Sequence, residues 1–133
     1  MFILYRVLTV IALLVPQSSS GQLSLEARGE YLVKRVAMCV QCHSPRDSQG
    51  ALLEDKLFLD APIPVQAEGR DWAIRAPRIA RLPGWTDAEF IRFLQTGKRP
   101  DGSFPQRPMP PFRMNQADAA AIAAFLKSVK TSE

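Results

Sequence analysis

The sequence predicts an all-α fold with three main helices joined by long irregular loops. Apolar residues fall on one helical face in three segments, in residues 25–43, in 87–96 and after Asn115, with the three- and four-residue steps of an α-helix. Five prolines between positions 45 and 83 disfavour regular structure there. The length of 133 residues is typical of one domain.

Residues 1–20 are predicted to form a secretory signal peptide. Arg6 precedes an apolar run over residues 7–15, and three serines follow before Gly21. This is the order of basic, apolar and cleavage regions in such peptides, and the run is shorter than the ~20 residues that cross a bilayer. We therefore expect export to the periplasm, residues 21–133 as the mature domain, and no stable membrane span after cleavage.

The first helix is predicted to begin after Ser24 and to run into residues 39–43. Ser24 suits an N-cap, and Glu26 suits the first turn, where a carboxylate meets the positive end of the helix dipole. Gly29 either permits another helix to cross closely or is simply tolerated. The predicted apolar face consists of Leu25, Gly29, Leu32, Val36, Cys39 and His43.

Residues 39–43 read Cys-Val-Gln-Cys-His, the C-x-x-C-H pattern that attaches a c-type haem. The thiols of Cys39 and Cys42 can each add to a haem vinyl group, and the His43 imidazole can bind the iron. One covalent haem c is therefore the predicted cofactor. A large flat apolar cofactor also accounts for the long irregular segment between His43 and Trp85, which would otherwise argue against a compact domain.

Other interpretations of the two cysteines are open. They could form a disulfide with each other in an exported protein, or they could carry out thiol redox chemistry. A zinc site would need two more ligands, and the chain has no other cysteine and no histidine besides His43. A thioredoxin-like site would need a βαβ pattern, and none surrounds the motif.

The chain has no second histidine, so the ligand on the other side of the iron is a methionine, some weaker group, or nothing. Met109 lies in Arg-Pro-Met-Pro-Pro, residues 107–111, where prolines stiffen an extended loop. Cytochromes c often use His/Met ligation, which favours Met109. Met114 is a second candidate, whereas Met38 adjoins the motif and cannot readily reach the other haem face. Met109 could instead be a core residue.

The second helix is predicted over residues 87–96 and the third from Asn115 onward. Thr86 and Glu89 fit a reciprocal capping box, and Gly97 fits a left-handed C-terminal cap. Alanines between positions 119 and 124 favour the third helix strongly. Its apolar side consists of Ile122, Phe125, Leu126 and Val129.

The net charge of +4 is a mild basic bias, without the clustered charge of a nucleic-acid-binding protein. No nucleic acid is therefore expected as a partner. Four basic residues near the Met109 loop could steer an acidic redox partner or form an ordinary solvated face. They are Lys98, Arg99, Arg107 and Arg113.

The order of these elements resembles that of the small class I cytochromes c, and the segment 97–115 is similar to haem domains of bacterial periplasmic dehydrogenases. Residues 85–89, Trp-Thr-Asp-Ala-Glu, match the family's Trp-Thr/Ser-x-x-Glu segment, and Met109 stands at the axial methionine. The resemblance implies the cytochrome c fold around one covalent haem. It also implies that Trp85 directs its indole N–H toward a haem propionate.

The segment 76–79, Ala-Pro-Arg-Ile, resembles the family's Gly-Pro-Asn-Leu. By that resemblance, the Pro77 carbonyl accepts a hydrogen bond from the iron-bound imidazole, a contact that orients the ligand.

The expected function is that of an exported monohaem cytochrome that carries single electrons and is not an enzyme. Its partners would be redox proteins, a dehydrogenase and/or a terminal oxidase or reductase. One alternative is a haem subunit held permanently in a periplasmic dehydrogenase. Others are a gas-binding or peroxidatic haem protein with an open iron site, and a thiol–disulfide protein without haem.

Overall fold

The computed structural model describes residues 23–67 and 71–131. The predicted signal peptide, residues 1–20, lies outside the described residues. Within them, no helix has the length and apolar character needed to cross a bilayer. The helices and strands are α1 (Leu25–Tyr31), a π-helical turn (Leu32–Val36), α2 (Cys39–Cys42), a 3₁₀ turn (Glu54–Lys56), β1 (Ala61–Pro62), β2 (Arg75–Ala76), α3 (Asp87–Thr96) and α4 (Gln116–Ser128).

The first predicted helix is divided into two α-helices, so the described residues contain four α-helices rather than three. The Ala37 N–H donates to the Leu32 carbonyl at 2.7 Å, the five-residue bond of a π turn. Met38 then adopts a left-handed conformation with φ 56°, which separates α1 from α2. Because the turn shifts the helical register, Val36 is 55% exposed. The prediction that Val36 continues one buried face into the motif was wrong.

Helices α1 and α4 pack closely at Gly29. A Cβ atom added there would collide with the Ala121 carbonyl and lie 2.7 Å from the Phe125 Cβ. Of the two interpretations of Gly29, the close helix crossing is therefore confirmed. An ion pair between Arg28 and Asp118 flanks the crossing.

Helices α3 and α4 begin where their capping residues predict, and α3 also ends where Gly97 predicts. The Thr86 N–H donates to Glu89 Oε2 at 3.0 Å, the Glu89 N–H donates to Thr86 Oγ1 at 3.3 Å, and Gly97 is left-handed with φ 68°. In α4 the Asp118 N–H donates to Asn115 Oδ1 at 2.8 Å. The predicted capping box and both helix starts are confirmed.

The long middle segment is mostly irregular, as predicted, but it includes a two-stranded antiparallel sheet with Ala61 opposite Ala76. Strands of two residues are too short to show a period-two pattern, so the sequence contains no signal for them. Phe58 anchors the segment in the core: it is 1% exposed, and its ring meets that of Phe125 edge-on at 5.8 Å. The Phe58 N–H also donates to the buried Ser44 Oγ at 2.9 Å.

Candidate functional site

Helix α2 is a single turn that brings the two cysteines to the same side. Residues three apart are neighbours on a helix surface, and both Cys39 and Cys42 line a cavity of about 170 Å³. His43 follows as the C-cap, with its N–H bonded to the Cys39 carbonyl at 2.9 Å. Burial raises the pKa of the Cys39 thiol to about 11, so the free thiol stays protonated at neutral pH.

A second cavity of about 310 Å³ is next to the first, because the two have much of their lining in common. Together they form a slot bounded by α2, α3, the segment before Trp85 and the Met109 loop. The residues that line both cavities are Cys39, His43, Pro77, Arg99, Met109 and Phe112.

His43 is buried, with 7% of its surface exposed, and its Nδ1 lies 2.7 Å from the Pro77 carbonyl oxygen. An Nδ1–H that donates to this carbonyl leaves the lone pair on Nε2 as the ring's metal-binding position. Burial lowers the pKa of His43, and the Pro77 hydrogen bond acts in the opposite direction. Burial, the larger effect, favours the neutral imidazole, and the Pro77 hydrogen bond fixes the orientation of the ring.

The three methionines of the described residues are placed differently around the slot. Met109 is half-buried and lines both cavities. Met38 lines the smaller cavity and is 44% exposed. Met114 lines neither cavity and packs partly buried against the core. Of these three methionines, only Met109 lines both cavities, as His43 does.

Aromatic rings form one wall of the larger cavity. Trp85 lines it beside Phe90 and Phe93, and its ring centroid lies 5.7 Å from that of Phe90 and 5.2 Å from that of Phe93. These rings provide an apolar surface for a flat ligand. Trp85 therefore lies at the slot.

The charged residues that line the slot are all arginines. Arg75 lines the smaller cavity, Arg78 the larger one, and Arg99 both, with no Asp or Glu in either lining. Arg75 is paired with Asp60, whereas the Arg99 guanidinium donates to the carbonyl of Phe104 and the hydroxyl of Ser103. A ligand that carries anionic groups fits this lining best, since a guanidinium at an apolar wall needs a counter-charge.

These donors fit a haem c. Two thiols can hold the vinyl carbons, an oriented imidazole and a thioether can bind the iron, apolar side chains can enclose the porphyrin, and arginines can meet the propionates. Sequence reasoning missed several of the lining residues, because they come from loops or from the two-residue strand β2, neither of which has a periodic pattern. Among them are Ile63, Ala73, Arg75, Ala76 and Phe112. The sequence predicts Arg99 only as one of the basic residues that could steer a redox partner, whereas in the structure it lies on the cavity wall.

Comparisons with known proteins give one family model and two cytochrome relatives. A family model described as cytochrome c oxidase, cbb3-type, subunit III matches residues 24–126. The chain is 31% identical over 112 residues to the fructose dehydrogenase cytochrome subunit of Gluconobacter japonicus, covering 77% of this chain and 21% of that protein. It is 31% identical over 115 residues to a diheme cytochrome c-type protein of Cereibacter sphaeroides, covering 81% and 36%. The chain thus spans about a fifth and about a third of the lengths of these relatives.

Proposed function

Because the chain belongs to the cytochrome c family represented by subunit III of the cbb3-type oxidase, whose domains carry electrons, we propose that it is an exported carrier with one haem ligated by His43 and Met109. The observation that supports this most strongly is the shared lining of the slot. His43 and Met109 line both cavities together with Cys39, while Met114 lines neither.

Each residue of the slot has a defined task in this proposal. Cys39 and Cys42 hold the porphyrin covalently, and the Pro77 carbonyl fixes the ring of His43 through the 2.7 Å hydrogen bond. A haem c, when bound, supplies an iron that takes up and releases one electron. Met109 fills the sixth position, so no open position remains for a substrate, and the proposed activity is electron transfer without a bond change.

The lining of the slot favours the reduced iron. Thioether ligation and apolar surroundings both disfavour the extra positive charge of the ferric state. Phe90 and Phe93 are buried beside Trp85, which keeps water away from that wall. We expect a reduction potential above that of a water-exposed bis-histidine haem.

The proposed partners are redox proteins, a dehydrogenase and/or a terminal oxidase or reductase. A permanent dehydrogenase subunit is a second candidate function, because one relative is named as the cytochrome subunit of fructose dehydrogenase. Gel filtration of an extract of the native host distinguishes the two. A free carrier elutes at the mass of the mature chain, whereas a fixed subunit elutes with its dehydrogenase.

Export and haem content are testable in one preparation. Expression of the full chain in a host that attaches haem c should yield a red periplasmic protein that begins near Gly21. Intact mass should show one covalently bound haem per chain, since the sequence has one C-x-x-C-H motif. The variant Cys39→Ala/Cys42→Ala should carry none, and a colourless unsubstituted protein would contradict the proposal.

The ligand assignment is tested by replacing each methionine separately. Met109→Ala should lose the Met-to-iron charge-transfer band of the ferric protein and gain rapid carbon monoxide binding when reduced, since the sixth position is then open. Met114→Ala is the matched control and should keep the band. Loss of the band in Met114→Ala alone would show that the wrong methionine was assigned, and rapid carbon monoxide binding by the unsubstituted protein would favour the open-site alternative.

A further inference from the structure

The loop that carries Met109 has few hydrogen bonds of its own; within it the Met109 N–H donates to the Gln106 carbonyl at 3.2 Å. Four of the eight residues from 104 to 111 are prolines, and a proline has no N–H to donate. The loop is therefore held largely through its carbonyl groups. Arg99 donates to the Phe104 carbonyl, and the Ala73 N–H donates to the Arg107 carbonyl at 2.7 Å.

The donor Ala73 belongs to a segment that we call the brace, residues 61–65 and 72–76. Its two segments are joined by the pairing of β1 with β2 and by a hydrogen bond from the Ile63 N–H to the Ile74 carbonyl at 3.0 Å. A hydrogen bond from a side chain also joins them. In that bond the Trp72 indole N–H donates to the Val65 carbonyl at 3.0 Å. The brace is thus an ordered unit with its own internal hydrogen bonds.

The brace touches both the slot and the Met109 loop. Ile63, Ala73 and Ala76 line the smaller cavity, as Met109 does. Trp72 forms a parallel bridge with Arg107, two residues before Met109. Backbone contacts of Trp72 and Ala73 with Arg107 therefore connect the wall of the slot to the segment that carries the proposed ligand.

We propose that the brace holds Met109 in its ligating position, with Ala73 and Trp72 as positioning residues. This inference rests on the proposed function, because it assumes that Met109 binds the iron. A bond from iron to a neutral thioether is weak, so its occupancy depends on how far the loop is confined beforehand. Release of the Arg107 carbonyl gives the loop more conformations and lets Met109 leave the iron more often.

The other end of the loop is fixed independently of the brace. The Met114 N–H donates to the Leu94 carbonyl at 3.0 Å, and the Arg113 guanidinium donates to the Phe112 carbonyl at 2.9 Å and to the Thr96 carbonyl. Loss of the brace contact should therefore loosen the loop at one end only and leave α3 and α4 in place.

The test measures how fast imidazole replaces the sixth ligand in the ferric holoprotein, at imidazole concentrations where release of the native ligand limits the rate. Ala73→Pro removes the donor N–H, and Ala73→Gly is the matched control that keeps it. We expect Ala73→Pro to exchange about fivefold to tenfold faster than Ala73→Gly, the effect of losing one neutral hydrogen bond. Trp72→Phe, which keeps a ring but loses the indole donor, should exchange faster than the unsubstituted protein.

The outcomes separate the brace from the ligand assignment. If Met109→Ala exchanges fast but Ala73→Pro and Trp72→Phe match their controls, the brace is wrong and the assignment of Met109 stands. If Met109→Ala exchanges no faster than the unsubstituted protein, both are wrong. Circular dichroism reports whether Ala73→Pro folds; should it not fold, the rate of Trp72→Phe decides. A lowered melting temperature without a change of exchange rate also overturns the proposal, since it indicates a structural role alone.

Discussion

Gly29 shows how much one missing side chain contributes to the packing of α1 on α4. In an open helix position Gly→Ala would stabilise the protein by about 1 kcal/mol, because alanine has the higher helix propensity. Here the added methyl group collides with the Ala121 carbonyl of the neighbouring helix. Whether Gly29→Ala raises or lowers the free energy of unfolding therefore shows whether α1 and α4 cross closely at this residue.

We predict that Gly29→Ala lowers the free energy of unfolding by about 1–3 kcal/mol, the usual cost of overpacking a core. Denaturant unfolding of the holoprotein measures it. Glu30→Ala, an exposed change at the next residue of α1, is the control and should stay within about 0.5 kcal/mol. An increase in stability in Gly29→Ala would contradict the close crossing.

The positive charge of Arg99 should raise the reduction potential of the iron. Arg99 lines both cavities, and a nearby positive charge disfavours the ferric state. An electrostatic interaction of about 1 kcal/mol at a partly exposed site corresponds to about 40 mV for one electron. We predict that Arg99→Gln lowers the reduction potential by about this amount.

Redox titration of the holoprotein measures the change, and two variants serve as controls. Arg99→Lys keeps the charge and should retain most of the potential. Arg92→Gln removes an exposed arginine that lines neither cavity and should change the potential little. Equal shifts in Arg99→Gln and Arg92→Gln would indicate that only the net charge matters.

Individual residues were predictable from the sequence where their partners are close along the chain. Cys39, Cys42 and His43 lie within five consecutive positions, so the motif itself predicts their chemistry. Pro77 lies 34 residues from His43 and was inferred only from a family resemblance. The position of Arg99 on the cavity wall depends on a loop conformation, which neither spacing nor composition encodes.

At the scale of elements, the start of α3 has a stability of its own that depends on pH. The hydrogen bond from the Thr86 hydroxyl, followed by that from the Thr86 N–H, lowers the pKa of Glu89 below its ordinary value of 4.5. Because the folded-state pKa is lower than the unfolded one, the stabilisation is complete above pH 4.5 and is lost as the pH falls through the folded-state pKa.

We predict that Thr86→Ala lowers the free energy of unfolding by about 1 kcal/mol at pH 7, the usual cost of losing an N-cap. Thr86→Ser keeps the hydroxyl and should restore most of the loss. The difference in stability between the unsubstituted protein and Glu89→Gln should shrink as the pH falls below 4.5. Denaturant unfolding between pH 3 and pH 7 measures both effects, and a difference that does not vary with pH would argue against the ionised capping box.

The helices differ in how well the sequence predicted them because their end signals differ. Thr86, Gly97 and Asn115 are local caps that act within four residues, and they correctly predicted the boundaries of α3 and the start of α4. No residue in 32–38 is a helix breaker such as proline. Nothing in the sequence therefore predicts the π turn or the left-handed conformation of Met38. Tertiary packing around the slot decides the conformation of that segment.

At the scale of the whole molecule, the slot lies against the apolar core, because Phe90, Phe93, Leu94, Ile122 and Leu126 belong to the core and also line the larger cavity. The two cavities, of about 170 Å³ and about 310 Å³, are lined mainly by apolar groups, and an apolar cavity costs free energy when nothing fills it. A haem tethered to Cys39 and Cys42 also stays on the unfolded chain, so it stabilises the fold through the apolar surface that it buries in the slot and through iron ligation in the folded state. The cofactor should therefore contribute a large part of the folding free energy.

We predict that the Cys39→Ala/Cys42→Ala variant, made without haem, melts at least about 10 °C below the holoprotein, as expected for the loss of a few kcal/mol in a domain of this size. Near-ultraviolet circular dichroism should also weaken, because the packing of Trp85 against the slot is lost. The unsubstituted chain made without haem is the control and should behave like the variant. An apoprotein that unfolds as cooperatively as the holoprotein would show that the slot is stable when empty.

The architecture as a whole was predictable to the extent that it depends on helices and on one motif. The mostly helical character and the order of the helices followed from periodicity and capping. The two-stranded sheet and the brace did not, because they are built from isolated backbone contacts between residues such as Ala73 and Arg107 that share no sequence pattern.

The chain contains one histidine, and its Nδ1 is bonded to the Pro77 carbonyl. Selective ¹⁵N labelling of histidine would therefore yield a nuclear magnetic resonance spectrum with a single labelled imidazole and no assignment problem. The chemical shift and solvent-exchange rate of its Nδ1–H would report this one hydrogen bond directly in the reduced, diamagnetic protein.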